Sequence, residues 1–386
     1  MGKNITILDK EYTNVNKIKA IETGTEDYVD FYDTSAANVS AEDITEGKIA
    51  YSADGEIVGT RTGGGADISE YFYESIPSAS STSERTWSDG IKKLPAFVNS
   101  NNMGYLYYKF KGTEIDLSKL DFSKATSFQR MFSDCINIET IDLSNFDSSR
   151  VTSMSDMFNG CKILKSLDLS TFKTENVTTA MSMFAGCYEL QEINLNNWNM
   201  SKCYYYSSMF ANCQKLVDID VSSFKIIQDN TYLASLFYFC YKLKNINFGN
   251  LFTSVQYTFD ASQMFTNCNE LENIPLLDFG KCLKNKSIIE GCRKLKNFGG
   301  FKDLGKSYTT QSSNSANYTL NVSSSVELTY DSLMNIINNL YDLNLTYNVA
   351  NGGTLYTQQL VLGATNIAKL TEDELNIAIQ KGWTIS

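Results

Sequence analysis

The chain has 386 residues, a formal net charge of -11, nine cysteines and no histidine. That acidic balance argues against binding nucleic acid, because phosphate neutralisation needs clustered Lys and Arg, and the missing histidine removes Ser-His-Asp and Cys-His catalysis and every His-ligated metal site. No enzyme, metal or cofactor is therefore expected, and no membrane insertion, since the richest apolar stretch, YLASLFYFCYKL, is broken by Ser235 and Lys242 well short of the ~20 residues a span requires.

Residues 1–62 read as a small β-rich module. NITIL and DYVDFYDTS have strand composition, Ser40 to Asp43 begins a short capped helix ended by Gly47, and KIAYSADGEIVGT reads as a hairpin. Its turn is Asp54-Gly55, between Ile49/Tyr51 and Ile57/Val58. Gly63-Gly64-Gly65 is followed by no Lys-Ser/Thr, so it is a hinge rather than a phosphate loop. From 66 to 112 the pattern is irregular, with Trp87, Leu94, Phe97 and YLYYKF, as expected of a cap over the first unit of a repeat array.

The array itself occupies 113–304. Its phase marker is Met131-Phe132…Cys135, returning at Met157-Phe158…Cys161, Met183-Phe184…Cys187 and Met209-Phe210…Cys213. Leu236-Phe237…Cys240, Met264-Phe265…Cys268 and Ile288-Ile289…Cys292 continue it, so that successive cysteines stand 26, 26, 26, 27, 28 and 24 residues apart. Each period also holds an inner motif such as Leu164-x-x-Leu167-Asp168-Leu169-Ser170. This period and motif predict a repeat solenoid of leucine-rich-repeat type, one short parallel strand plus a helical or irregular segment per ~26 residues. Period-two alternation turns Leu167 and Leu169 inward and Ser166, Asp168 and Ser170 outward. The Met-Phe-x-x-Cys piece, with Leu three residues later, has the spacing of a short helix that closes the other wall of the core.

Seven cysteines in one phase (Cys135, Cys161, Cys187, Cys213, Cys240, Cys268, Cys292) read as small buried packing groups. Rungs ~4.8 Å apart leave disulfides open as an alternative. A zinc site is disfavoured, since there is no Cys-x-x-Cys pair.

The outward positions Asp116, Asp142, Asp168, Asn194, Asp220 and Asn247 align into one ladder flanked by Ser118, Ser144, Ser170 and Ser222. Such a ladder suits a glycan's hydroxyls or a basic protein patch, with Tyr204, Tyr205 and Tyr206 supplying stacking faces. It also suits a solubilising face whose Asp and Asn serve nearby backbone groups. Calcium between stacked carboxylates is an open alternative, although no compact multi-oxygen loop is visible.

After Cys292 the pattern decays, and Gly299-Gly300 replace leucines. Residues 305–386 then offer helices at Tyr330–Leu340 and Thr371–Lys381, the second opened by the capping box Thr371-x-x-Glu374, with a strand at Leu360–Gly363 before it. This is the composition of an α/β C-terminal cap.

From about 105 to 300, runs such as MFNGCKILKSLDLSTFKTENVTTAMSMF resemble the BspA-like leucine-rich-repeat family of surface and secreted binding proteins. FYDTSAANVSAEDITEGKIAYSADGEIVGTRTGGG resembles a module near the N-termini of phage tail-fibre-like proteins, and LVLGATNIAKLTEDELNIAIQKGWTIS is similar to endings that accompany such repeats in phage proteins. Together the resemblances imply a phage virion protein that binds a host-cell surface protein or glycan through the solenoid and other virion proteins through residues 1–62. The start, MGKNITILDKEYTNVNK, shows no apolar signal-peptide core, which favours the virion over the alternative, a bacterial surface or secreted adhesin. The fibre resemblance also implies a homo-trimer, which no heptad stretch here enforces.

Overall fold

The computed structural model describes residues 103–115, 117, 122–144, 146–307, 319–347 and 358–386, together with the backbone of four strands within residues 1–51. Asp116, Ser118, the Gly63–Gly65 hinge, the helix expected at 40–47 and the hairpin arm at 57–58 lie outside the described residues. The chain divides into two units, residues 1–100 with 114–121, and residues 101–113 with 122–386.

In the first unit β1 (Lys3–Ile7), β2 (Lys10–Glu22), β3 (Tyr28–Asp33) and β4 (Lys48–Tyr51) pair antiparallel. The N-terminal half of β2 takes β1, with Ile5 opposite Tyr12, and its C-terminal half takes β3 and β4, with Ala20 opposite both Val29 and Ala50. The partner of Ile49 and Tyr51 is thus β2, a strand too polar to be read from the sequence.

The second unit is built of short parallel strands, each pairing with its counterpart one repeat later. One ladder holds β5 (Ser166–Asp168) and β6 (Glu192–Asn194), in register Leu167 to Ile193. β7 (Asp218–Asp220) does not pair with β8 (Thr231–Tyr232) but with β9 (Asn245–Asn247), Ile219 opposite Ile246. A second ladder runs through single bridges Ser127–Ser153–Thr179–Tyr205–Tyr232 and continues from β8 into β10 (Phe259–Asp260). β11 (Asn273–Ile274), β12 (Leu277–Asp278) and β13 (Cys282–Lys284) follow. β13 extends the second ladder, while β11 and β12 pair with β14 (Asn297–Phe298) and β15 (Phe301–Lys302). Among the described residues no strand set closes into a barrel.

The expected short helix is absent, and the structure shows why. Across Met154–Cys161, alternate N–H groups go to two destinations. Met157 N, Asn159 N and Cys161 N bond three residues back, to Met154, Asp156 and Phe158 carbonyls. Met154 N, Asp156 N, Phe158 N and Gly160 N donate to Thr179, Met181, Met183 and Ala185 of the next rung at 2.7 to 3.0 Å. An α-helix would commit every N–H to its own segment and leave the next rung's buried carbonyls unpaired. The alternation requires left-handed backbone every fourth residue, at Asp156 (φ 56°) and Gly160 (φ 74°), and the same pair recurs in each rung. It is already present at Tyr105 and Lys109, whose segment bonds to 127–133 in the same manner.

Because the rungs repeat at fixed height, like side chains stack. Tyr107, Phe132, Phe158, Phe184, Phe210, Phe237 and Phe265 form a continuous column, with centroids 5.3 to 6.0 Å apart and planes within 18°. Leu167 and Leu169 are buried, while Ser166 and Asp168 are exposed. Burying each such aromatic removes some 150–250 Å² from water, and neighbouring rungs supply the cover that one repeat lacks.

Toward the C-terminus, β16 (Thr319–Asn321), β17 (Gln358–Val361) and β18 (Trp383–Ile385) form a parallel sheet. Helix α1 (Tyr330–Asn339) and the short α2 (Asn344–Tyr347) precede β17, and α3 (Ala364–Ile367) and α4 (Glu372–Gln380) precede β18. α1 and α4 occupy the two stretches expected to be helical, and the Thr371/Glu374 capping box is formed. Serine hydroxyls finish the last rung. Gly291 N donates to Ser324 Oγ, Ser325 Oγ donates to Cys292 O, and Phe298 N donates to Ser332 Oγ. Each fills a place that backbone of a further rung would take.

Candidate functional site

The Asp/Asn ladder lies on the outer face of the first strand ladder, where Asp142, Asp168, Asp220 and Asn247 are exposed and Asn194 is half-buried. Each accepts a hydrogen bond from the backbone N–H two residues on, at 2.8 to 3.1 Å, from Ser144, Ser170, Asn196, Ser222 and Gly249. These are Asx turns that reverse the chain as each strand ends. Across rungs Asn194 Nδ2 donates to Asp168 and Asn247 Nδ2 to Asp220. The amides next to Asp168 and Asp220 thus relieve part of the repulsion that a ladder of carboxylates alone would carry.

Hydrogen bonds from Ser144 hold Asp142 below the usual carboxylate pKa, and those from Ser170 and Asn194 do the same for Asp168. At Asp220 desolvation pushes upward, but the bonds from Ser222 and Asn247 outweigh it and the pKa again falls. Much of this ladder's polarity is therefore spent within the fold. A shallow groove of about 510 Å³ remains, lined by Ser166, Asp168, Glu192, Asn194, Asn196 and Asp220 among others. Among the described residues no group of three Cys, Asp or Glu is placed to hold a metal ion.

The three tyrosines do not act together. Tyr204 and Tyr205 are half-buried on the second ladder, and Tyr205 stacks on Tyr232 at 4.5 Å and 5°. The Tyr205 pKa is raised, first by its hydroxyl's hydrogen bond to Tyr232. Tyr206 is a core residue with no exposed surface, packed on Phe224 at 4.6 Å, and so offers no binding face. Its repeat phase carries Phe128, Met154, Ala180 and Leu233, all buried, which is the signal that separates it from its neighbours. The tyrosines and the Asp/Asn ladder thus lie on two different ladders. Tyr232, which completes the stack, is outside the Tyr204–Tyr206 run and is found only by aligning rungs.

The seven in-phase cysteines are buried free thiols. Every one donates its S–H to an aromatic residue's carbonyl in the preceding rung, Cys135 to Tyr107 and Cys161 to Phe132 at 3.0 Å, and so on through Cys292 to Phe265 at 3.1 Å. The position therefore uses a small apolar donor rather than a mere space-filler. Burial pushes the Cys240 and Cys292 thiols up to about 12, and Cys135, Cys187, Cys213 and Cys268 also well above the free value, so the nucleophilic thiolate is suppressed. No helix of the described residues is long and apolar enough to cross a membrane.

These features define a repeat-like, β-rich protein of short parallel strands with few helices, whose outer faces are polar ladders interrupted by aromatic residues. Residues 99–224 and again 165–279 match the family described as Mycoplasma protein of unknown function, DUF285. The match supports a BspA-like family of surface proteins for the repeat region, and its two overlapping placements reflect the repetition itself. It does not reach residues 31–65, and the tail-fibre resemblance there has no support from it. No curated protein and no solved structure matches the chain.

Proposed function

We propose that the parallel stack is a leucine-rich-repeat-type solenoid and that the protein is a non-enzymatic, BspA-like surface protein that binds a protein or glycan through its outward ladders. The observation that carries this reading is the Tyr205–Tyr232 stack. These half-buried rings stand where the same ladder bears Ser127, Ser153 and Thr179 in earlier rungs. Aromatic rings at positions that the fold fills elsewhere with small hydroxyls serve a partner better than they serve the core.

The family match favours a bacterial cell as carrier. The resemblance of residues 31–65 and 360–386 to phage proteins favours a second reading, a virion protein attached through residues 1–62. Immunogold labelling of cells and of particles in a lysate separates the two carriers. For the binding role, the double substitution Tyr205→Ser with Tyr232→Ser restores the earlier rungs' residues. It is expected to weaken adhesion of the purified protein to target cells at least tenfold with little change in unfolding midpoint. Undiminished adhesion would refute the assignment of these rings.

A further inference from the structure

The rungs are one another's controls, and the one holding Tyr238, Phe239 and Tyr241 departs from the rest. In the phase of Phe239 the other rungs carry Gly160, Gly186 and Gly291, then Asp134, Asn212 and Asn267, with Lys109 in the first. All are in the left-handed region, where Gly is free of strain and Asn and Asp tolerate it best. Phe239 adopts the same conformation, φ 60°, without those advantages, and its ring is half-exposed rather than in the core. A bulky residue held in an unfavourable conformation on a surface is a feature that the fold alone does not explain.

Its neighbours add to the departure. Tyr238 stands where adjacent rungs have Ala211 and Thr266, and its ring lies 4.2 Å from Phe239 at 59°. Tyr241 meets Phe239 edge-on at 5.5 Å and 69°. The three rings are thus tilted against one another rather than stacked in parallel like the core column. The rungs on either side bring amides. Asn212 N donates to Tyr238 O at 2.7 Å and Phe239 N to Thr266 O at 2.9 Å, which fixes Asn212 and Asn267 as the flanking residues of Phe239's ladder. Gln214 takes the repeat phase of Tyr241 one rung earlier, each following its in-phase cysteine. The side-chain amides of Asn212, Gln214 and Asn267 are half-exposed and make no hydrogen bond to any described residue.

We infer that this rung and its flanking amides form a subsite for a neutral glycan. The inference rests on the binding-surface reading above and names a ligand class for it. A sugar ring presents an apolar C–H face that an aromatic ring accepts, and hydroxyls at its edge. Each Asn or Gln amide both donates and accepts, which matches a hydroxyl that does the same. The three amides carry no charge, and the chain's net charge of -11 disfavours sialylated, phosphorylated or uronic ligands.

The full chain is titrated calorimetrically with neutral hexose and N-acetylhexosamine oligosaccharides, and the same sugars are tested as competitors of adhesion to a panel of bacterial and animal cells. The variant Phe239→Asn installs the residue of the flanking rungs. It is expected to lose at least tenfold in sugar affinity while its unfolding midpoint stays within about 2 °C of wild type or rises. Gln214→Ala, which removes an amide without a partner in the fold, is expected to weaken binding several-fold with no change in stability. Sugar affinity unchanged in both variants overturns the inference. Adhesion to cells that none of these sugars competes for also overturns it, and leaves the surface-binding reading standing. A wild-type chain that binds neither sugar nor any cell overturns both.

Discussion

Met154, Met157, Phe158 and Cys161 in the stack and Leu333, Ile336, Ile337 and Leu340 in and after α1 share one spacing, i, i+3, i+4 and i+7, and all eight are buried, yet the first set lies on linked turns and the second on a helix. What separates them is where the backbone donors can go. α1 opens with Thr329 accepting from Ser332 N and runs ten residues without glycine, so its own carbonyls serve its N–H groups. The Met154 segment has Asp156 and Gly160 at the two left-handed positions and a rung beside it offering carbonyls at matching height. Apolar spacing therefore says which side chains share a face, while the residues between them and the neighbouring backbone decide helix or turn.

The largest expected contrast between the two regions is their response to alkali. Thiols that ionise near 9 in the unfolded chain are held well above this in the fold by burial, Cys203, Cys240 and Cys292 at about 12. The folded chain thus keeps protons that the unfolded chain releases. The thiol contribution is complete below pH 9 and is lost as pH rises from 9 toward 12, by about 1.4 kcal/mol per such thiol per pH unit. No cysteine follows Cys292, so the C-terminal sheet and helices lack this dependence. Urea unfolding at pH 7, 9 and 10, followed in single-tryptophan variants that keep Trp198 or Trp383, should show the stack losing its stability first. Equal losses at both reporters would mean that the thiols are not what sets alkaline stability.

Gly160→Val tests the turn wall directly. At φ 74° a β-branched residue is strained, and a Cβ would fall 2.4 Å from Asp134 Oδ1. A loss of about 2 kcal/mol or more is expected, read as a lower urea midpoint with unchanged slope. A residue of α1 such as Met334, substituted by Val, is expected to lose well under 1 kcal/mol, because a helix asks only a small propensity term of it.

The helical wall is tested by Thr371→Ala, which removes the side-chain half of the α4 capping box, the Glu374 N–H to Thr371 Oγ1 bond at 3.3 Å, and keeps the backbone half, Thr371 N–H to Glu374 Oε2 at 2.7 Å. A cost of about 1 kcal/mol is expected. Hydrogen exchange should quicken across the first turn of α4 and leave residues 154–161 unchanged.

The same contrast explains what could be read without coordinates. The capping box, α1, α4 and β17 were legible because helix ends announce themselves in local chemistry. The repeat phase was legible too, and with it the inward Leu167 and Leu169. The turns were not, since the destination of an N–H in the next rung leaves no trace in spacing. The segment Met103 to Phe110 was missed as a rung because Phe110 stands in the cysteine phase and Tyr107 in that of phenylalanine. In the candidate surface, the outward aspartates were legible by alternation, whereas Tyr206 was misplaced because three consecutive tyrosines show no alternation of their own.

The smallest expected effect belongs to the Asp/Asn ladder and decides how much of that ladder is scaffold. Asp168 accepts from Ser170 N and from Asn194 Nδ2, each at 3.0 Å, and both bonds need an oxygen. Asp168→Asn keeps that oxygen but loses the charge that strengthens both bonds, so at pH 7 it should be slightly less stable than wild type, and Asp168→Ala less stable still. The acid limb sharpens the distinction. The Asp168 pKa is lowered in the fold by its bonds from Ser170 and Asn194, so its contribution is present above the unfolded carboxyl pKa of about 3.9 and disappears as pH falls through the folded value. Asp168→Asn carries no such titration and should close the gap or overtake wild type below pH 4. If Asp168→Ala instead leaves stability untouched at every pH but abolishes adhesion to target cells, the carboxylate is held for a partner and not for the turn.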